Sequence, residues 1–171
     1  VAGPNIAIAD LIEYTDWERA QWLAWLRQNV PALGTGVGAH ADGRFADIGD
    51  MVRHIFSAEK RYIERLGGRP ITDTSSIPKD LEALFAFGRE SRADFKNFIA
   101  SLPAAEWDTP IGMKIISWSI SASPRKIVTH VLIHEVRHWA QIATTLRLNG
   151  LKPEFHDFLF SPALGGEVSG G

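Results

Sequence analysis

Four stretches of this chain repeat apolar residues every three to four positions over more than twenty residues, and each stops at proline or glycine. That is the period of an α-helix with one buried face. The first runs from about Ile6 to Asn29 with Leu11, Ile12, Trp22, Leu23, Trp25 and Leu26, and Pro31 ends it. The second runs from about Phe45 to Leu66 and closes at Gly67-Gly68, and the third spans about Lys79 to Ser101. In the fourth, Ser123 reads as an N-cap, Pro124 as the first helical residue and Gly150 as the C-terminal cap after Asn149. Four helices with connections of roughly ten to twenty residues predict an all-α fold. The expected form is a four-helix bundle with one crossover connection and a short helical turn between Pro153 and Phe160. The glycine-rich stretch from Gly34 to Gly43 reads as a flexible loop. The run from Ile111 to Ile120 is apolar and β-branched, and fits a short strand or an ordered loop.

At 171 residues the chain is expected to be one domain, with a loose tail from about residue 163. Hydrophobic residues at 45% and charged residues at 22% exclude disorder over most of its length. A net charge of −2 gives no basic field for nucleic acid or an anionic membrane. No apolar run reaches the roughly 20 residues of a membrane span, and no secretory signal opens the sequence, so a cytoplasmic location is expected. Trp17, Trp22 and Trp25 at helical spacing belong to a core or an interface, and the first helix is a candidate homodimer face.

Cysteine is absent while histidine occurs six times, so any metal site must use imidazole and carboxylate. Three of the histidines, His130, His134 and His138, stand four apart on the fourth helix. Such neighbours are offset by about 40° and lie roughly 6 Å apart, so His134 and His138 can serve one ion. Ile127, Val128, Val131, Leu132, Trp139, Ile142, Ala143 and Leu146 form the apolar face of this helix. The histidines run along its edge, His138 nearest the centre and His130 furthest out. A third ligand must come from elsewhere. On the second helix His54 and Glu59 are candidates, with Glu59 nearer the apolar centre, where it would pair with an arginine or lysine.

The same letters admit other readings. His134-Glu135-Val-Arg-His138 matches H-E-x-x-H, with Glu135 as general base of a zinc peptidase. The longer metzincin pattern fails, and the only downstream carboxylate offered as a ligand, Glu154, sits in a turn. A di-iron bundle would need a second E-x-x-H, which the chain lacks. No G-x-S-x-G nucleophile elbow, phosphate loop or dinucleotide fingerprint occurs.

Three motifs together resemble the DinB/YfiT-like family, four-helix bundles with a triple-histidine site. They are His54-Ile-Phe-Ser-Ala-Glu59-Lys-Arg-Tyr62, then His134-x-x-x-His138-x-x-Gln141-Ile142, then Leu146-Arg147-Leu-Asn-Gly150-Leu-Lys-Pro153 with Asp157 following. The likeness extends over roughly residues 5 to 160. Where the family often has Arg-Gly after its second paired histidine, this chain has Trp139-Ala140. The resemblance implies His54, His134 and His138 as ligands of a divalent metal ion, with zinc, nickel and iron all compatible. Glu59, His130, Glu135 and Gln141 are the candidates for orienting them. It implies a metal-dependent enzyme that activates a water or a low-molecular-weight thiol cosubstrate, with a small-molecule substrate. The alternatives are a non-catalytic, stress-associated dimeric metal-binding bundle and the H-E-x-x-H peptidase.

Overall fold

The computed structural model describes residues 5–38, 43–115, 117–153 and 156–166. Among them are four long helices: α1 (Ile8–Gln28), α2 (Ile48–Leu66), α3 (Leu81–Ser101) and α4 (Pro124–Leu148). All four periodic stretches are helical; α1, α2 and α3 start two or three residues inside the expected positions, and α4 starts at Pro124 as expected. The ends have chemical causes. The Asp80 carboxylate accepts the Glu82 and Ala83 amides at 3.0 and 3.1 Å, so α3 begins after Asp80 rather than at Lys79. Ser123 Oγ accepts the Lys126 amide, which caps α4. Gly150 takes φ +77°, and the Gly150 and Leu151 amides return to the Arg147 and Leu146 carbonyls. That pair of bonds is a Schellman motif, and it needs a residue tolerant of the left-handed region at position 150.

The described residues are mostly helical, and the run after Pro110, which fitted a short strand or an ordered loop, is an antiparallel hairpin of β1 (Ile111–Ile115) and β2 (Trp118–Ala122). Its register pairs Ile111 with Ala122, Met113 with Ile120 and Ile115 with Trp118. Directly paired residues share a face, so one side is wholly apolar and the other carries Gly112, Lys114, Ser119 and Ser121. This alternation of period two is the physical reason for strand over helix. The short terminal turn is present as a 3₁₀ turn at Phe158–Phe160. Beyond it Ser161 and Ala163 are buried, and residues 164–166 are exposed. Part of the glycine-rich loop (39–42), Glu154 and the last residues of the tail lie outside the described residues.

The chain divides into two compact units, one of residues 49–134 and one of residues 1–48 with 135–171; α4 runs without interruption through residues 134 and 135. In the 49–134 unit Ile55, Phe56, Ile63, Leu84 and Phe95 are almost wholly buried. Phe56 meets Phe85 edge to face at 5.1 Å. Gly88 in the middle of α3 lies against the Phe56 ring so closely that a Cβ there would stand 2.7–2.9 Å from three ring carbons. The close approach of α2 and α3 therefore depends on a missing side chain.

In the other unit Trp22 lies flat against Trp139, with ring centroids 5.2 Å apart and 13° between planes. Leu26, Ile142 and Leu146 are buried in the same unit. Trp22 and Trp25 are thus core residues, which accounts for two of the three tryptophans on α1.

Candidate metal centre

Helix α2 turns His54 out from between the buried Val52 and Ile55, leaving it half-buried. Within the same unit, α4 supplies His134, also half-buried. The two Nε2 atoms are 3.1 Å apart, and the ring centroids 4.9 Å. Two imidazole nitrogens at a tetrahedral ion, each about 2.05 Å from it, would be separated by about 3.3 Å. The pair is therefore spaced as ligands of one ion, and its nitrogens already face each other. His138 follows one turn later on the uninterrupted α4, on the diagonal that brings residues four apart onto one face. His54, His134 and His138 form a donor set of three imidazoles that could hold a metal ion.

The surroundings of His138 favour the neutral form that a ligand requires. It is buried, and burial holds its pKa below the usual histidine range; the Arg44 and Arg137 charges act in the same direction, opposed by a hydrogen bond with Gln141. Phe45 packs its edge on the same ring at 5.8 Å. Exposure along the seam follows the helical wheel: His138 is buried, His134 half-buried and His130 exposed. His130 lies tilted at 5.6 Å from His134 and edge to face at 5.4 Å from Tyr62 of α2, so it flanks the pair.

The two carboxylates have other engagements. Glu59 is buried and forms an ion pair with Arg92 of α3 at 2.9 Å, the arginine pairing expected from its place near the apolar centre. Glu135, 1% exposed, receives Arg19 Nε and Nη2 at 2.6 and 2.8 Å on its two oxygens, and Trp139 Nε1 at 3.2 Å. A bidentate guanidinium stabilises the ionised carboxylate strongly and occupies the lone pairs a general base would use. Trp139 thus serves both this carboxylate and the stack on Trp22.

A DinB family model matches residues 5–165. The chain belongs to the DinB family. No curated protein matches it. The family match spans α1 through α4 and covers all three histidines. No helix among the described residues is long and apolar enough to cross a membrane.

Sequence reasoning missed two buried charges of α1. Glu18, 1% exposed, meets His156 Nδ1 at 2.8 Å, and Tyr14 donates to the His156 carbonyl at 3.0 Å. Burial pushes the Glu18 carboxyl up to about 7, against the lowering effect of the His156 contact. The signal was present: Tyr14, Glu18 and Trp22 are four apart, so a carboxylate sits in an aromatic stripe. The Arg19 partner of Glu135 could be found by no local rule, since 116 positions separate them.

Proposed function

We propose that His54, His134 and His138 hold a divalent metal ion and that the protein is a metal-dependent enzyme acting on small molecules. The observation that carries this reading is the 3.1 Å approach of His54 Nε2 to His134 Nε2, with a third imidazole one turn further along α4. Membership of the DinB family supports it. Three neutral imidazoles leave a bound ion its full charge and open positions, where it would lower the pKa of a water or of a thiol. With no cysteine of its own, the chain can take part in thiol transfer only through a low-molecular-weight thiol cosubstrate. Gln141 orients His138, Phe45 keeps water from its ring edge, and His130 with Tyr62 walls the pair on one side. Glu135 serves as a structural anion for Arg19 rather than as a base, which speaks against the peptidase reading. The same proposal takes the helices as a four-helix bundle with one crossover connection, working as a cytoplasmic homodimer.

The test is metal analysis of protein purified without added metal, in the wild type and in His54→Ala, His134→Ala and His138→Ala variants. About one ion per chain in the wild type, lost in each variant, is expected. Near-stoichiometric metal in the triple variant would sink the site. Tightly held metal with no turnover of thiols on electrophilic substrates would point to the non-catalytic alternative.

A further inference from the structure

Helix α2 carries four cations, and they are treated differently. Arg53 pairs with Asp50 at 2.9 Å and Lys60 with Asp94 at 2.6 Å. Arg61 and Arg65 form no ion pair among the described residues. They stand one turn apart, so two guanidinium groups share one face at the cost of mutual repulsion. Arg61 Nε is buried without a hydrogen-bond partner. Arg65 Nη1 is tied to the Arg61 carbonyl at 3.1 Å, and its Cζ lies 5.9 Å from the centre of the Tyr62 ring. The nearest carboxylates do not quench the pair. Asp73 feels the Arg61 charge but bonds to Ser75, and Glu64 accepts the Thr72 amide and hydroxyl.

The position of these arginines is what gives them meaning. Seven and eleven residues after His54, they fall within about 20° of it around the helix axis, so all three lie on one stripe of α2. Contacts inside the 49–134 unit link the two ends. Arg65 lies over Tyr62, Tyr62 meets His130, His130 meets His134, and His134 faces His54. Along the helix, Arg61 is about 10 Å from His54. That is the span of a small molecule with a reacting group at one end and a charged group at the other.

We propose that Arg61 and Arg65 form an anion subsite that selects substrates or cosubstrates bearing a carboxylate or phosphate about 10 Å from the group that reaches the histidines. The inference rests on the metal reading for the second end of the molecule, while the anion subsite stands on its own residues. An oxyanion there would accept from the guanidinium N–H groups of the pair and relieve the repulsion between them.

Cobalt(II)-loaded protein is titrated with 6-mercaptohexanoate, 6-mercaptohexyl phosphate and the neutral 6-mercaptohexanol, and read by thiolate-to-cobalt absorption. One or both anionic thiols should bind about tenfold more tightly than the alcohol. Whichever leads identifies the anion, and either result supports the subsite. Arg61→Gln/Arg65→Gln should erase the preference, while Arg61→Lys/Arg65→Lys, with both charges retained, should keep part of it. Equal affinity for the three thiols, or a preference that survives the Gln double variant, would overturn the proposal. If the protein fails to hold cobalt, the metal reading has failed, and the subsite is then judged on metal-free protein. There, saturable shifts of the Arg61 Nε–H resonance with hexanoate or inorganic phosphate support it, and no shift with either overturns it.

Discussion

Arg19→Met removes one half of a buried ion pair and leaves Glu135 charged in a site that is 1% exposed. The carboxylate keeps the Trp139 indole donor but loses both guanidinium bonds, at 2.6 and 2.8 Å. Breaking such a pair from one side costs about 3–5 kcal/mol, because the uncompensated charge must stay buried or draw in a proton or water. For a chain of this size each kcal/mol lowers Tm by about 2–4 °C, so a loss on the order of 10 °C is expected. Replacing both partners by apolar groups, Arg19→Met with Glu135→Leu, removes the stranded charge and should recover most of the loss. The assay is a double-mutant cycle by urea denaturation at pH 7, with thermal melts alongside. A coupling of at least about 2 kcal/mol between the two positions is predicted. If Arg19→Met costs less than about 1 kcal/mol, or the double variant shows the simple sum of two large losses, the carboxylate is solvated or otherwise compensated. The structural role given to Glu135 would then be wrong.

Gly88→Ala is a test of close packing, since in a helix interior this change ordinarily stabilises by up to about 1 kcal/mol. Here the new methyl would meet the Phe56 ring at 2.7–2.9 Å, and a loss of about 1–3 kcal/mol in chemical denaturation is predicted instead. A gain in stability would show that the two helices have room to part. Glu18, with its carboxyl pushed up to about 7 from 4.5, binds more protons folded than unfolded between those values. Its contribution therefore falls as pH rises through that window and is constant above it, a change on the order of 3 kcal/mol. Glu18→Gln cannot ionise, so the variant should gain on the wild type from pH 4.5 to pH 8; urea midpoints that track one another across this range would refute the shift.

The helices were readable because their signals are local. Period, proline and glycine placed all four, and Ser123-Pro124 with Gly150 fixed the ends of α4. The hairpin was harder, because Ile111 to Ala122 has neither Gly nor Asn at its turn and the apolar residues alternate over only five positions per strand. The wheel of α4 ordered the exposure of His138, His134 and His130 correctly, since a helix face is a property of spacing alone. His54 could not be joined to His134 in this way. They are 80 positions apart; spacing made His54 one candidate among others on the flank of α2, and only the resemblance implied it as a ligand. Buried ion pairs such as Arg19 with Glu135 and Arg92 with Glu59 escape local rules for the same reason, although a charge within an apolar stripe announces that a partner exists.

The central claim is that three imidazoles, one of them from α2, bind a single ion. X-ray absorption at the zinc edge, on protein loaded with one equivalent of zinc, tests it most directly. The account predicts three imidazole nitrogens at about 2.0–2.1 Å with the remaining position filled by oxygen, falling to two imidazoles in His54→Ala. A wild-type spectrum with two imidazoles or fewer, or one unchanged by His54→Ala, would contradict it.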